Sequence, residues 1–342
     1  MTLRRIGLLL GALALVAMAV AGVLAWQARS WLDAPLVGLD EPATFEIERG
    51  SSLTAVADQL ADRGLLEHPR VFTLWARLTD QTRGLKAGEY QLTPGITPAG
   101  LLELFHSGKV LLHAATFVEG MTVAEIRKVL VAHPAVQSTL ESTSQENLLD
   151  VLGLPGESPE GLFFPDTYRF PRGTSDREIL TMAYQRMQDE LEAAWETRAP
   201  DLPLASPYEA LILASIIEKE TALDAERPVI GGVFTERLRI GMRLQSDPTV
   251  IYGIGETFDG DIRRADLRRD TPYNTYTRGG LPPTPIAAPG AASLAAAVRP
   301  EVTGALYFVA TGNGDGSHYF SKTLPEHQAA VRRYLRKLRE SR

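Results

Sequence analysis

The spacing of apolar and polar positions changes several times along the chain, and each change predicts an element. Residues 6–26 form an uncharged run rich in Leu, Ala and Val, about the length a helix needs to cross a bilayer core. Thr44-Phe45-Glu46-Ile47-Glu48 alternates with period two and predicts a strand. Gly50-Ser51-Ser52 is a turn ending in a cap residue. Val56, Ala57 and Leu60 then recur at helical spacing, so a helix is expected over Leu53–Asp62, stopped by Arg63-Gly64. The same reasoning predicts a helix over Pro69–Leu78, a strand over Gly88–Leu92 and a helix over Pro98–Ser107. Residues 114–118, the turn Glu119-Gly120-Met121-Thr122 and a helix over Val123–Ala132 repeat the first strand–turn–helix shape in degenerate form. Residues 138–159 are polar and irregular, which suits a subdomain boundary.

Further on, Ile179, Ala183, Met187 and Leu191 are spaced by four and predict a long helix over residues 176–195. Ser206-Pro207-Tyr208-Glu209 opens the next helix with a cap, a proline suited to the first turn and a capping-box acid. Residues 211–217 are apolar on every side, so that helix is expected to be buried. A helix over 224–238 follows. Residues 305–311 and 318–321 flank Gly312-Asn313-Gly314-Asp315-Gly316 as a hairpin, and 325–340 read as a basic terminal helix.

Composition narrows the function. The 342 residues suggest about two domains. With 44% apolar and 23% charged residues there is ample material for a core. The net charge of −7 gives no basic surface of the kind a nucleic-acid binder needs. The absence of cysteine excludes disulfides, thiol catalysis and Cys-based metal sites. Arg4 and Arg5 precede the apolar run, so the positive-inside rule places residues 1–5 in the cytoplasm and the remainder outside. A cleaved signal peptide is the rival reading, with Ala17-Met18-Ala19 as a passable cleavage site, but the run is long for a signal. Both readings export the rest of the chain.

Candidate chemistry lies in four places. Glu218-Lys219-Glu220 continues directly from the buried helix. A carboxyl held against apolar side chains is the kind of group that serves as a general acid. Either glutamate fits by periodicity, and a helix end emerging into solvent explains both equally. Gln245 and Asp247 alternate with smaller or apolar residues and would face one side, suited to sugar hydroxyls or to capping a turn at Pro248. Tyr273-Asn274-Thr275-Tyr276, followed by a Gly/Pro-rich stretch, combines aromatic rings with an amide, as carbohydrate sites do, or is a proline-braced loop. Ser317-His318 with His327 could suggest a Ser/His hydrolase, but there is no nucleophile elbow and no acidic partner in pattern. No HExxH or phosphate-loop fingerprint occurs.

Several stretches together resemble a known family. They are Glu160-Gly161-Leu162-Phe163-Phe164-Pro165-Asp166-Thr167-Tyr168, Ala214-Ser215-Ile216-Ile217-Glu218-Lys219-Glu220-Thr221, Arg237 through Val250, Tyr273-Asn274-Thr275-Tyr276 and His318-Tyr319-Phe320-Ser321. In this order they are similar to the YceG-like (MltG-type) endolytic murein transglycosylases, across essentially the whole chain. The resemblance implies an α+β fold. It would comprise a transmembrane helix at 6–26, a linker at 27–42, a small LysM-like α/β module at 43–110 and a larger mixed catalytic domain at 111–342. It implies that Glu218 is the single catalytic acid/base, with Gln245, Asp247, Tyr273, Asn274, Tyr276 and His318 as candidate sugar contacts and no metal or cofactor. The implied substrate is the MurNAc–GlcNAc bond of nascent peptidoglycan strands, cut to leave 1,6-anhydroMurNAc ends and so ending strand elongation. The implied setting is the inner (plasma) membrane, single-pass, with the catalytic domain outside, beside the peptidoglycan synthases. Two rivals stand beside this: a hydrolase of the same substrate using Asp247 as a second carboxylate, and a non-enzymatic peptidoglycan-binding scaffold.

Overall fold

The computed structural model describes residues 3–340. Met1 and Thr2 of the expected cytoplasmic segment lie outside the described residues, as do the last two residues of the expected catalytic domain. The chain forms a mixed α/β structure that divides into two compact units. One comprises the residues up to His113 together with Pro171–Gly173; the other comprises Ala114–Phe170 and Thr174–Arg342.

The first unit opens with helix α1 (Leu3–Leu32), in which Leu10–Leu32 is apolar and long enough to cross a membrane, with a mean hydropathy of 2.0. The helix runs past the expected end at Trp26. Leu32 is only 2% exposed, Leu36 and Leu39 belong to the first unit's core and Trp31 packs against it, so the residues read as a linker contribute packing. Strand β1 (Ala43–Ile47), helices α2 (Leu53–Asp62) and α3 (Pro69–Leu78), strand β2 (Gly88–Leu92) and helix α4 (Pro98–Ser107) follow as the spacing predicts. The strands pair antiparallel with Phe45 opposite Tyr90. Their inward side chains meet Val56, Leu60, Phe72 and Phe105, all fully buried. Tyr90 tolerates burial because its hydroxyl donates to the carbonyl oxygens of Lys86 and Phe105. Ser52 and Thr97 cap α2 and α4 by accepting backbone N–H groups, and Gly108 ends α4 in the left-handed conformation that favours glycine.

The second unit begins within strand β3 (Leu112–Thr116), which leads through a turn to helix α5 (Val123–Ala132), opened by a Thr122/Glu125 capping box. Strand β4 (Val136–Gln137), helix α6 (Leu148–Leu152) and strands β5 (Thr167–Pro171) and β6 (Thr174–Ser175) come next. β4 and β6 pair in parallel. The stretch expected to be irregular thus holds a short helix, whose Leu148, Leu149 and Leu152 are buried. Helix α7 (Asp176–Glu196) starts at a Ser175/Glu178 capping box.

Helix α8 (Pro207–Glu220) is the centre of this unit. It is capped by Ser206, and every residue from 210 to 217 is buried, as its all-round apolarity requires. Helices α9 (Arg227–Arg239), α10 (Asp247–Ile254), α11 (Arg264–Arg268) and α12 (Ala291–Val298) follow, and α7, α9, α10 and α12 pack on α8. α9 begins three residues later than the pattern predicts, with Pro228 in its first turn. Its Gly231-Gly232 pair lets another backbone come close: a Cβ at Gly231 would stand 2.5 Å from the Ala296 carbonyl oxygen, and one at Gly232 would stand 2.0 Å from that of Glu301. The hairpin of β7 (Tyr307–Ala310) and β8 (His318–Ser321) and the final helix α13 (Leu324–Glu340) match expectation.

Candidate active site

Glu218 lies in the last turn of α8, with its side chain only 5% exposed. It does not emerge into solvent as a surface glutamate. One carboxylate oxygen, Oε1, accepts from Arg227 Nη2 at 3.1 Å, and the other, Oε2, accepts from the backbone N–H of Gly290 at 2.9 Å. Arg227 is the first residue of α9, and Gly290 caps the start of α12. Three helices of the second unit therefore converge on one carboxyl, and the N-terminal end of α12 adds a favourable partial charge. Arg227, 6% exposed at its side chain, is shared: it also pairs with Asp224, and its Nη2 lies 3.9 Å from Glu119 Oε2. Glu119 sits in the turn before α5, and the neighbouring Gly120 carbonyl accepts from Lys219 Nζ at 3.1 Å.

Glu220 faces a different set of groups. Its Oε1 accepts the Ser246 hydroxyl at 2.5 Å. Desolvation pushes its carboxyl up to about 7, and the nearby Asp247 charge adds to that; the Ser246 hydrogen bond and the Arg237 guanidinium oppose it. Arg237 is itself buried and donates to the carbonyls of Leu306 and Leu244.

Of the candidate sugar-binding residues, Gln245, Asp247, Asn274 and Tyr276 fall around this second cluster. Gln245 and Asp247 are exposed while Ser246 between them is buried, the alternation that the sequence predicts. The backbone is not simply extended there, because Gln245 adopts φ +50°, a left-handed conformation uncommon outside glycine. Its N–H donates to the Thr275 carbonyl at 3.2 Å. Asp247 opens α10 and accepts the Tyr276 hydroxyl at 2.6 Å. Asn274 is 1% exposed. Its side-chain amide donates to the carbonyls of Asp266, Leu267 and Arg269, and its Oδ1 accepts from the Tyr276 N–H. Tyr273 lies edge-on to Tyr252 at 4.8 Å, and its hydroxyl shares a hydrogen bond with Thr284.

His318 is elsewhere. Its Nδ1 is 2.7 Å from Glu226 Oε2, and its backbone N–H donates to Glu226 Oε1. Glu226 directly precedes Arg227, so His318 braces the start of α9. The Ser317 hydroxyl donates to Asp315 and also bonds Thr311. Arg227, Gly290 and Glu119 carry no signal in the sequence pattern. They stand 9, 72 and 99 positions from Glu218, and only the fold assembles them.

The YceG-like family model matches residues 45–333. The chain is similar to the endolytic murein transglycosylase of Bacillus subtilis, being 30% identical in an alignment 308 residues long that covers 85% of this chain and 84% of that protein. It is 26% identical to the endolytic murein transglycosylase of Streptococcus pneumoniae serotype 2, over 85% of this chain and 58% of that longer protein. A crystal structure of a yceG-like protein from Listeria monocytogenes superposes with a TM-score of 0.52 at 31% identity, covering 84% of this chain and 98% of that one. Since the match spans most of the sequence and holds in structure as well, the chain belongs to the YceG-like family.

Proposed function

We propose that this protein is an endolytic lytic transglycosylase of peptidoglycan, with Glu218 as its acid/base. The observation that carries the reading is the buried Glu218 carboxyl, held by Arg227 and Gly290 at the end of α8, in a chain related to named murein transglycosylases over 85% of its length. Protonated Glu218 gives its proton to the glycosidic oxygen between MurNAc and GlcNAc, and that C–O bond breaks. The resulting carboxylate takes the proton of the muramyl 6-hydroxyl, and O6 bonds to the anomeric carbon. The proton inventory closes on one residue, no water is consumed, and the product is a 1,6-anhydro end. This intramolecular attack gains a high effective concentration and needs no second carboxylate to activate water.

Gln245, Asp247, Tyr273 and Tyr276 are proposed as sugar contacts. Asn274 supports them by fixing the loop that presents Tyr276, and His318 supports Glu218 from behind through Glu226 and Arg227. The finer organisation belongs to the same proposal: residues 6–26 as a single-pass anchor in the plasma membrane, 27–42 as the link, 43–110 as a LysM-like glycan-binding module and 111–342 as the catalytic domain, facing outward and working beside peptidoglycan synthases. Supporting the module is a cavity of about 380 Å³ lined by Ser51, Ser52, Thr82 and Arg77 together with Leu53 and Leu85, a mixed polar and apolar lining of the kind a sugar can meet.

Purified protein incubated with uncrosslinked glycan strands tests the reading. Wild type releases products with anhydro ends, identified by mass spectrometry as one water lighter than reducing ends. Glu218→Gln abolishes cleavage, and Glu220→Gln retains much of it. Equal activity of wild type and Glu218→Gln would overturn the assignment. Reducing ends from wild type would favour the hydrolase reading, and an inert wild type the scaffold reading.

A further inference from the structure

Resting on the assignment of Glu218 as the acid/base, we propose that Glu119 is a second carboxylate of the active site: a positioning residue that takes over Arg227 when Glu218 carries its proton. Glu218 Oε1 accepts from Arg227 Nη2 at 3.1 Å, an arrangement that suits a carboxylate. An acid must be protonated, and a neutral carboxyl leaves Nη2 without its anion. Arg227 is poorly placed to bear that loss. Its side chain is 6% exposed, its Nε is buried with no hydrogen-bond partner among the described residues, and Nη1 is already engaged by Asp224. A buried cation that loses one of its two carboxylate partners, and is left with an exposed one, is under-compensated, and that is costly.

Glu119 Oε2 is the next anion in line, 3.9 Å from the same Nη2. Its side chain is 51% exposed, so it has room to move. Its position is built. The turn that carries it is tied by Gly120 N–H to the Ala288 carbonyl at 2.8 Å, and the Ala288 N–H returns to the Met121 carbonyl at 2.8 Å. Its carboxyl rests against Gly290, where a Cβ would stand 1.9 Å from Glu119 Oε1. Gly290 is the residue whose N–H holds Glu218 Oε2. That bond survives protonation at Oε1, so Glu218 keeps its aim while Arg227 shifts toward Glu119. After the 6-hydroxyl proton has moved on and Glu218 is again a carboxylate, Arg227 returns.

The test uses the full-length protein in detergent with uncrosslinked glycan strands. Glu119→Gln is expected to lower kcat about tenfold or more, part of the 10²–10⁴ that acid–base catalysis contributes, while KM stays within about twofold. Its melting temperature is expected to match wild type, because the side chain is half exposed. Glu119→Asp, which keeps the charge, is expected to recover part of the lost kcat. A Glu119→Gln enzyme with wild-type kcat overturns the proposal, as does a loss confined to KM, which would make Glu119 a sugar contact. Glu218→Gln runs beside it. If that variant is inactive and Glu119→Gln is not impaired, the present proposal alone fails; if Glu218→Gln cleaves normally, the acid/base assignment fails first.

Discussion

Glu160 shows how much a single buried residue can govern. It is 1% exposed, accepts the Val123 N–H at 3.0 Å and the Tyr252 hydroxyl at 3.1 Å, and so ties the start of α5 to α10. Burial pushes its carboxyl from 4.5 to about 7, against the pull of those hydrogen bonds. An acid whose folded value is raised keeps its proton in the folded state after the unfolded chain has released it. Stability is therefore greatest below about pH 4.5 and falls as pH rises to about 7 and beyond, by about 3 kcal/mol for this group. Thermal melts of wild type and Glu160→Gln at pH 5 and pH 8 check this: the wild type loses melting temperature across the interval and the variant loses less. Parallel losses would remove Glu160 as the cause. Glu220 titrates with the same sign and leaves the variant some residual slope. Neither effect is legible in sequence. Glu218 and Glu220 look equivalent by helical period, and what separates them is their partners, Arg227 and Gly290 for one and Ser246 for the other.

Among elements, the contact of α9 with α12 and the segment after it is the most exacting. Alanine in place of a helical glycine ordinarily stabilises by about 1 kcal/mol. At Gly232 the added Cβ would meet a backbone carbonyl oxygen at 2.0 Å, and backbone cannot rotate away as a side chain can. Gly232→Ala is expected to destabilise by about 1–3 kcal/mol in urea unfolding. It is also expected to reduce cleavage, since α9 carries Arg227 at its first position. A variant as stable as wild type would mean that the helices separate without cost. The sequence revealed the elements with a full set of local signals. α2, α5 and α7 combine a cap with a regular apolar period, and α8 a cap with a fully apolar run; they form where the sequence predicts them. α6 and α11, at five residues each, are too short to show a period. α12 is almost wholly Ala, Leu and Val, with no polar face to mark one, and its place is set by α8 and α9 packing around it.

At the scale of the whole molecule, the resemblance read from the motifs and the family match agree, because long motifs in fixed order survive where composition is uninformative. The chain's path after the apolar run is less legible. Residues 27–42 look like a linker by composition, yet Leu32, Leu36 and Leu39 are buried in the first unit, and the Trp31 ring lies 5.3 Å from His68. Burying a leucine is worth about 1.5–3 kcal/mol. Deleting residues 1–28 is therefore expected to leave the first unit intact, and deleting residues 1–42 to lower its melting temperature markedly. Equal melts for the two truncations would show that these leucines contribute nothing.

The unbroken run of α1 into that core has a mechanical consequence. If the apolar stretch sits in a bilayer as proposed, the module is mounted on a stem, not hung from a string. A glycine–serine tether would absorb rotation and let the module drift. A helix whose last residues are packed into the fold passes the tilt and rotation of its buried part directly to what it carries, and so gives the first unit a fixed stance above the membrane surface.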